Sequence, residues 1–114
     1  MKKEKLIEIL ESLGIAVNEG ESTVLNSSRY PRIVFWDYIW EDKLASDETY
    51  STVETYQISF FAKEPRHPKL IELRNELRKL GIYPVIQHEY IKEQGKDRSY
   101  YHSFFNIEVA VDNE

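Results

Sequence analysis

The clearest pattern of apolar and polar positions runs over residues 50–81 and predicts one strand, one turn and one helix. Tyr56, Ile58, Phe60 and Ala62 are apolar while Thr55, Gln57, Ser59 and Lys63 are polar, with Phe61 the exception; this is the period of a strand with one buried face. The segment Glu64, Pro65, Arg66, His67, Pro68 ends it, because proline donates no backbone hydrogen bond and pushes the residue before it out of the helical region. Pro68 suits the first helical position and His67 stands where an N-cap belongs. Leu70, Leu73, Leu77 and Leu80 follow at spacings of 3, 4 and 3, and Ile71 widens the stripe. Arg78 and Lys79 favour the negative end of the helix dipole, Gly81 can take a left-handed stop, and Ile82 can fold back on the last turn. Strand and helix each offer one apolar face, and burying the two against each other makes this stretch the seed of the core.

The same reading extends to the rest of the chain. Residues 2–13 form a helix with Leu6, Ile9, Leu10 and Leu13 on one face and Gly14 as its stop. Lys2, Lys3 and Lys5 sit at the positive end of its dipole, so this helix needs tertiary packing to persist. Residues 18–30 are rich in turn formers, with Thr23, Val24 and Leu25 as a short edge strand. Residues 32–40 read as a strand with Ile33, Phe35 and Ile39 on one face, interrupted by Asp37, and Val34, Trp36, Tyr38 and Trp40 on the other. Residues 41–49 carry Glu41, Asp42, Asp47 and Glu48 against Lys43 and read as a solvated acidic loop. Residues 83–92 and 99–112 read as strands joined by a polar hairpin loop that contains Gly95.

The predicted order is therefore α-β-β-α-β-β. An α+β domain with a four-stranded antiparallel sheet and two helices packed on one face satisfies the burial pattern. Leu10, Leu13, Gly14 and Ile15 are echoed by Leu77, Leu80, Gly81 and Ile82. Two helix-plus-hairpin halves would explain the echo; so would any two helices that end in a glycine cap.

Composition narrows the class. With 114 residues, 41% hydrophobic and 31% charged, the chain fits one globular domain, and no apolar run approaches the ~20 residues of a membrane span. The basic start is broken by Glu8 and Glu11, so a signal peptide is not expected. Cysteine is absent, which removes disulfides, thiol catalysis and thiolate metal sites. The net charge of −5, with Lys and Arg scattered, argues against specific nucleic-acid binding.

Candidate chemistry is sparse. His67, His88 and His102 show no metal-ligand spacing. If the last hairpin pairs so that Ile86 and Tyr90 share a face with Tyr101 and Phe105, His88 goes to the core face and His102 to the opposite one. The acidic loop fits no calcium-binding spacing, and there is no phosphate-cradling glycine loop or nucleophile elbow. Catalytic, cofactor and metal residues are therefore none, and an enzyme is not expected. What stands out is a second sheet face bearing Trp36, Tyr38, Trp40, Phe61, Tyr100 and Phe104. With helices on one side only, either another copy or a partner covers these residues, or they form separate exposed cross-strand pairs.

The succession Tyr30-Pro31-Arg32-Ile33-Val34-Phe35, then Tyr56-Gln57-Ile58-Ser59-Phe60-Phe61-Ala62, then Pro68-Lys69-Leu70-Ile71-Glu72-Leu73 through Leu80-Gly81-Ile82, resembles small tail-completion proteins, also called tail terminators, of siphophages and prophages of Gram-positive bacteria. The resemblance runs from about Tyr30 to Val111 and rests on element patterns rather than a chemical signature. It implies a non-enzymatic virion component, made in the host cytoplasm, that forms a ring, commonly a hexamer. That ring caps the tail tube protein and offers its other surface to the head-completion or connector protein. On this resemblance the aromatic face is the subunit or partner interface. Glu41, Asp42, Asp47 and Glu48 dock on the tube or line a channel through which DNA slides without sticking. The alternatives are a head-completion or connector protein, and a ferredoxin-like regulatory domain binding a small molecule between subunits.

Overall fold

The strand and helix at the centre of the chain form as their patterns dictate. In the computed structural model, which describes residues 1–21, 26, 29–44, 50–92 and 99–112, the elements are α1 (Lys3–Glu11), β1 (Ala16–Glu19), β2 (Arg32–Leu44), β3 (Tyr50–Ala62), α2 (Pro68–Lys79), β4 (Gln87–Ile91) and β5 (Tyr100–Asp112). His67 caps α2, its Nδ1 accepting from the Lys69 N–H at 3.0 Å. Gly81, at φ +77°, ends it: its N–H donates to Arg78 O, and the Ile82 N–H reaches back to Leu77 O.

The sheet has five strands in the order β1-β2-β3-β5-β4 and is mixed, because β1 runs parallel to β2 while every other pair is antiparallel. This corrects the four-stranded antiparallel sheet and the α-β-β-α-β-β order. The added strand is Ala16–Glu19: the left-handed Gly14, at φ +72°, turns the chain out of α1 and lays it beside β2. Four residues are too few for alternation to show, and parallel pairing leaves no hairpin signal. The Thr23, Val24, Leu25 edge strand lies outside the described residues.

Leucines of both helices and the inward residues of three strands share one core: Leu6, Leu10, Leu73 and Leu77 with Ile33, Tyr56, Ile58, Phe60 and Val109, each 0–1% exposed. Two strands differ in length from the sequence pattern. β4 begins at Gln87 rather than at residue 83, since Pro84 offers no N–H to a ladder, and Tyr83 and Val85 are left exposed. β2 continues through Glu41 and Asp42, which pair with Val53 and Thr52, so these two belong to a strand and not to a loop. Thr52 Oγ1 donates to Asp42 Oδ1 at 3.0 Å.

The ends of the sheet differ. β1 pairs with β2 only as far as Phe35, and β4 with β5 only from Tyr100 to Phe104. Beyond them the central strands run on as a three-stranded arm, residues 36–44, 50–57 and 105–112, and the molecule measures 59 × 27 × 22 Å.

Candidate assembly surface

The sheet face away from the helices is built by the outward residues of β2, β3 and β5. Trp36, Phe61, Tyr100 and Phe104 lie there half-buried, as the alternation places them. Phe61 and Phe104 do not touch as a simple pair; His102 stands between them. Its ring stacks on Phe61 at 4.7 Å and on Phe104 at 4.8 Å, and Tyr100 meets the Phe61 edge at 5.8 Å. The Arg32 guanidinium covers the other side of Phe61 at 4.5 Å and Tyr30 at 4.7 Å. Beneath this layer Val34 and Ser59 are buried.

Two of the expected interface residues sit elsewhere. The register between β2 and β3 slips between Asp37 and Ile39, so Tyr38 is an extra residue. One extra residue turns every later side chain to the other face. Tyr38, 47% exposed, stays at the arm's border, where it lines a groove with Gln57, Phe104 and Asn106. Trp40 lies opposite Glu54 on the helix side, 70% exposed, with its Nε1–H donating to Asp37 Oδ2. Of the acidic set, Glu41 and Asp42 are on the arm, and Asp47 and Glu48 lie outside the described residues.

His102 makes a further arrangement that no local motif announced. Its Nδ1 shares a hydrogen bond of 2.7 Å with Glu89 Oε1, and its Nε2 one of 2.8 Å with Ser59 Oγ, which also accepts from Gln57 Nε2 at 3.2 Å. The tautomer with hydrogen on Nδ1 satisfies all four groups. The line Glu89, His102, Ser59 has the connectivity of a hydrolytic triad. However, Ser59 is 0% exposed in mid-strand, under the rings, where no acyl carbon reaches its oxygen. The network is a polar pin that fixes the aromatic layer. Three residues at 59, 89 and 102 meet only through the pairing of β3, β5 and β4, so sequence spacing held no signal for it. His88 sits on the opposite face, its Nδ1 2.7 Å from Ser103 Oγ. His102→Ala, which loses both stacks and leaves the buried Ser59 hydroxyl without its acceptor, is expected to cost about 2 kcal/mol. His102→Phe keeps the stacks and should cost roughly half that; urea denaturation of the two variants checks the order.

On the helix side a cleft is lined by Lys3, Glu19, Asp37, Trp40, Glu54 and Tyr56 among others. Glu54 is 9% exposed and its Oε2 accepts from the Tyr56 hydroxyl at 2.9 Å. Burial, then the bond to Glu54, push Tyr56 up to about 12, against the nearby Lys3 ammonium, whose own value is raised chiefly by its bond to Glu19. This cleft pairs its own charges, Lys3 with Glu19 at 3.1 Å and Glu54 with Tyr56, which gives it a structural use. Comparison with known protein families and with curated proteins found no match to this chain.

Proposed function

We propose that the chain is a non-enzymatic tail-completion subunit of a phage or prophage virion, one copy of a ring that caps the tail tube and meets the head connector. The observation that carries this reading is the arm: three central strands that outrun β1 and β4, leaving an acidic sheet whose two borders have no strand beside them among the described residues. Two different borders on one subunit suit head-to-tail association, which closes into a ring when the rotation allows. The arm bears Asp37, Glu41, Asp42, Glu54 and Glu108. Of these, Glu41 and Glu108 share the open face, opposite Val53 and Thr55; lining a channel, they would repel DNA phosphates, so that a duplex passes without being held. The half-buried aromatic layer around His102 offers the apolar, fixed surface that a second virion protein can cover.

The test is end-specific capture. Purified chain is added to uncapped tail tubes of the same phage and viewed by negative stain. The reading requires density at one tube end and arrested tube elongation; decoration of the tube wall, or no binding, would refute it.

A further inference from the structure

Two sheet borders end unpaired at the same level of the molecule. Among the described residues no strand pairs with the outer side of β2 beyond Phe35, nor with the outer side of β5 beyond Phe104. Ile39 and Glu108 both face Thr55 across β3, so they stand at one height on opposite borders. The β5 border already takes a bond from outside its ladder, since the Ala110 N–H donates to the Met1 carbonyl at 2.9 Å. Backbone groups of alternate residues in an antiparallel strand point the same way, so those of Asn106 and Glu108 also face outward. Among the described residues no strand pairs with them there.

We infer, resting on the ring reading above, that the β2 border of one copy pairs with the β5 border of the next, joining successive arms into one continuous sheet. An unpaired edge is a template for another strand; the described part of this arm has no proline, and its bulge at Tyr38 and its carboxylates are what keep the edge from pairing indiscriminately. The occupant is a second copy because the chain itself supplies both halves of the joint, equal in height. Apolar side chains flank each: Tyr38 and Ile39, 47% and 43% exposed, on β2, and Tyr83 and Val85, 73% and 81% exposed, beside β5. A groove of about 810 Å³ crosses the open face from Tyr38 over Gln57 to β5, where Tyr83, Pro84 and Val85 flank it.

Direction follows from topology. β2 and β5 both run antiparallel to β3, so a neighbour related by rotation about an axis along the strands presents β2 parallel to β5. Six copies of three strands, roughly 18 in all, spaced about 4.8 Å apart and tilted about 40°, give a backbone radius of about 18 Å. Side chains about 5 Å deep leave a bore about 13 Å in radius, wide enough for a duplex. Glu41 and Glu108 lie on the same open face, one diagonal step apart across the joint. Like charges at that distance oppose pairing and salt screens them, so ring formation should rise with ionic strength and with Glu108→Gln.

Because the chain has no cysteine, introduced pairs read the joint directly. Ile39→Cys is combined in turn with Asn106→Cys, Glu108→Cys and Ala110→Cys, which cover three registers, and oxidised at high salt; neighbouring strands hold Cα atoms within disulfide reach. Circular dichroism confirms that each variant folds. The joint predicts that at least one pair yields a covalent ladder passing well beyond dimer, while each single variant does not. Rings in stain with no ladder from any pair would overturn the strand joint and leave the ring reading intact. A dominant covalent dimer from Glu108→Cys alone would mean that β5 meets β5 about a two-fold axis, and would overturn the joint. Monomers at every protein and salt concentration would overturn the joint, and the ring reading with it if tail tubes also fail to capture the chain.

Discussion

Phe60→Ala is expected to lower stability by about 3–5 kcal/mol, a large part of what a domain of this size has in total. Phe60 is 1% exposed on β3, between Ile33 of β2 and Ser103 of β5, and its ring meets that of His67 at 5.7 Å. Truncation therefore opens a cavity where the sheet joins the start of α2, and it removes the ring that holds the cap of that helix. Urea denaturation should show a lower midpoint with an unchanged slope. Val85→Ala, at a side chain 81% exposed, should change stability by no more than about 0.5 kcal/mol. Equal effects at the two positions would contradict the placement of the core.

The second large effect is alkaline. In the unfolded chain a tyrosine titrates near 10, whereas burial and the bond to Glu54 raise Tyr56 to about 12. The fold therefore holds the neutral phenol. Its contribution is present in full below pH 10 and is lost as pH rises through 12, amounting to about 2–3 kcal/mol. At neutral pH Tyr56→Phe leaves the Glu54 carboxylate, 9% exposed, without its donor and should cost about 1.5–3 kcal/mol. The gap between wild type and variant should then close between pH 10 and 12 in denaturation experiments. A gap that stays constant to pH 12 would show that Tyr56 ionises as freely folded as unfolded.

What could be seen in the sequence were features that repeat within a few residues. Alternation over Tyr56, Ile58, Phe60 and Ala62, the 3-4 spacing of Leu70, Leu73 and Leu77, the cap at His67 and the stop at Gly81 are all local, and each has its physical counterpart in the structure; Leu80, expected on the same stripe, falls after the last turn of α2 and is 46% exposed. The opposite faces of His88 and His102 followed from hairpin register alone. What escaped is set by partners far along the chain. β1 is a strand because β2 lies beside it, not because Ala16-Val17-Asn18-Glu19 alternates. The slip at Tyr38 is marked in the sequence only by Asp37, which interrupts one face, yet it moves Trp40 across the sheet. Glu41 and Asp42 read as loop because a strand wetted on both faces needs no apolar period. The Ser59, His102 and Glu89 line gathers side chains from three strands, a juxtaposition only the sheet order creates.

The ring is the centre of the account, and mass measures it most directly. Light scattering of the purified chain across a wide range of protein concentration, repeated at low and high salt, with negative-stain images of the same fractions, is the decisive measurement. A species that grows with concentration and salt into a ring with a central hole is expected. A compact dimer at every concentration, with no hole and no response to salt, would contradict it.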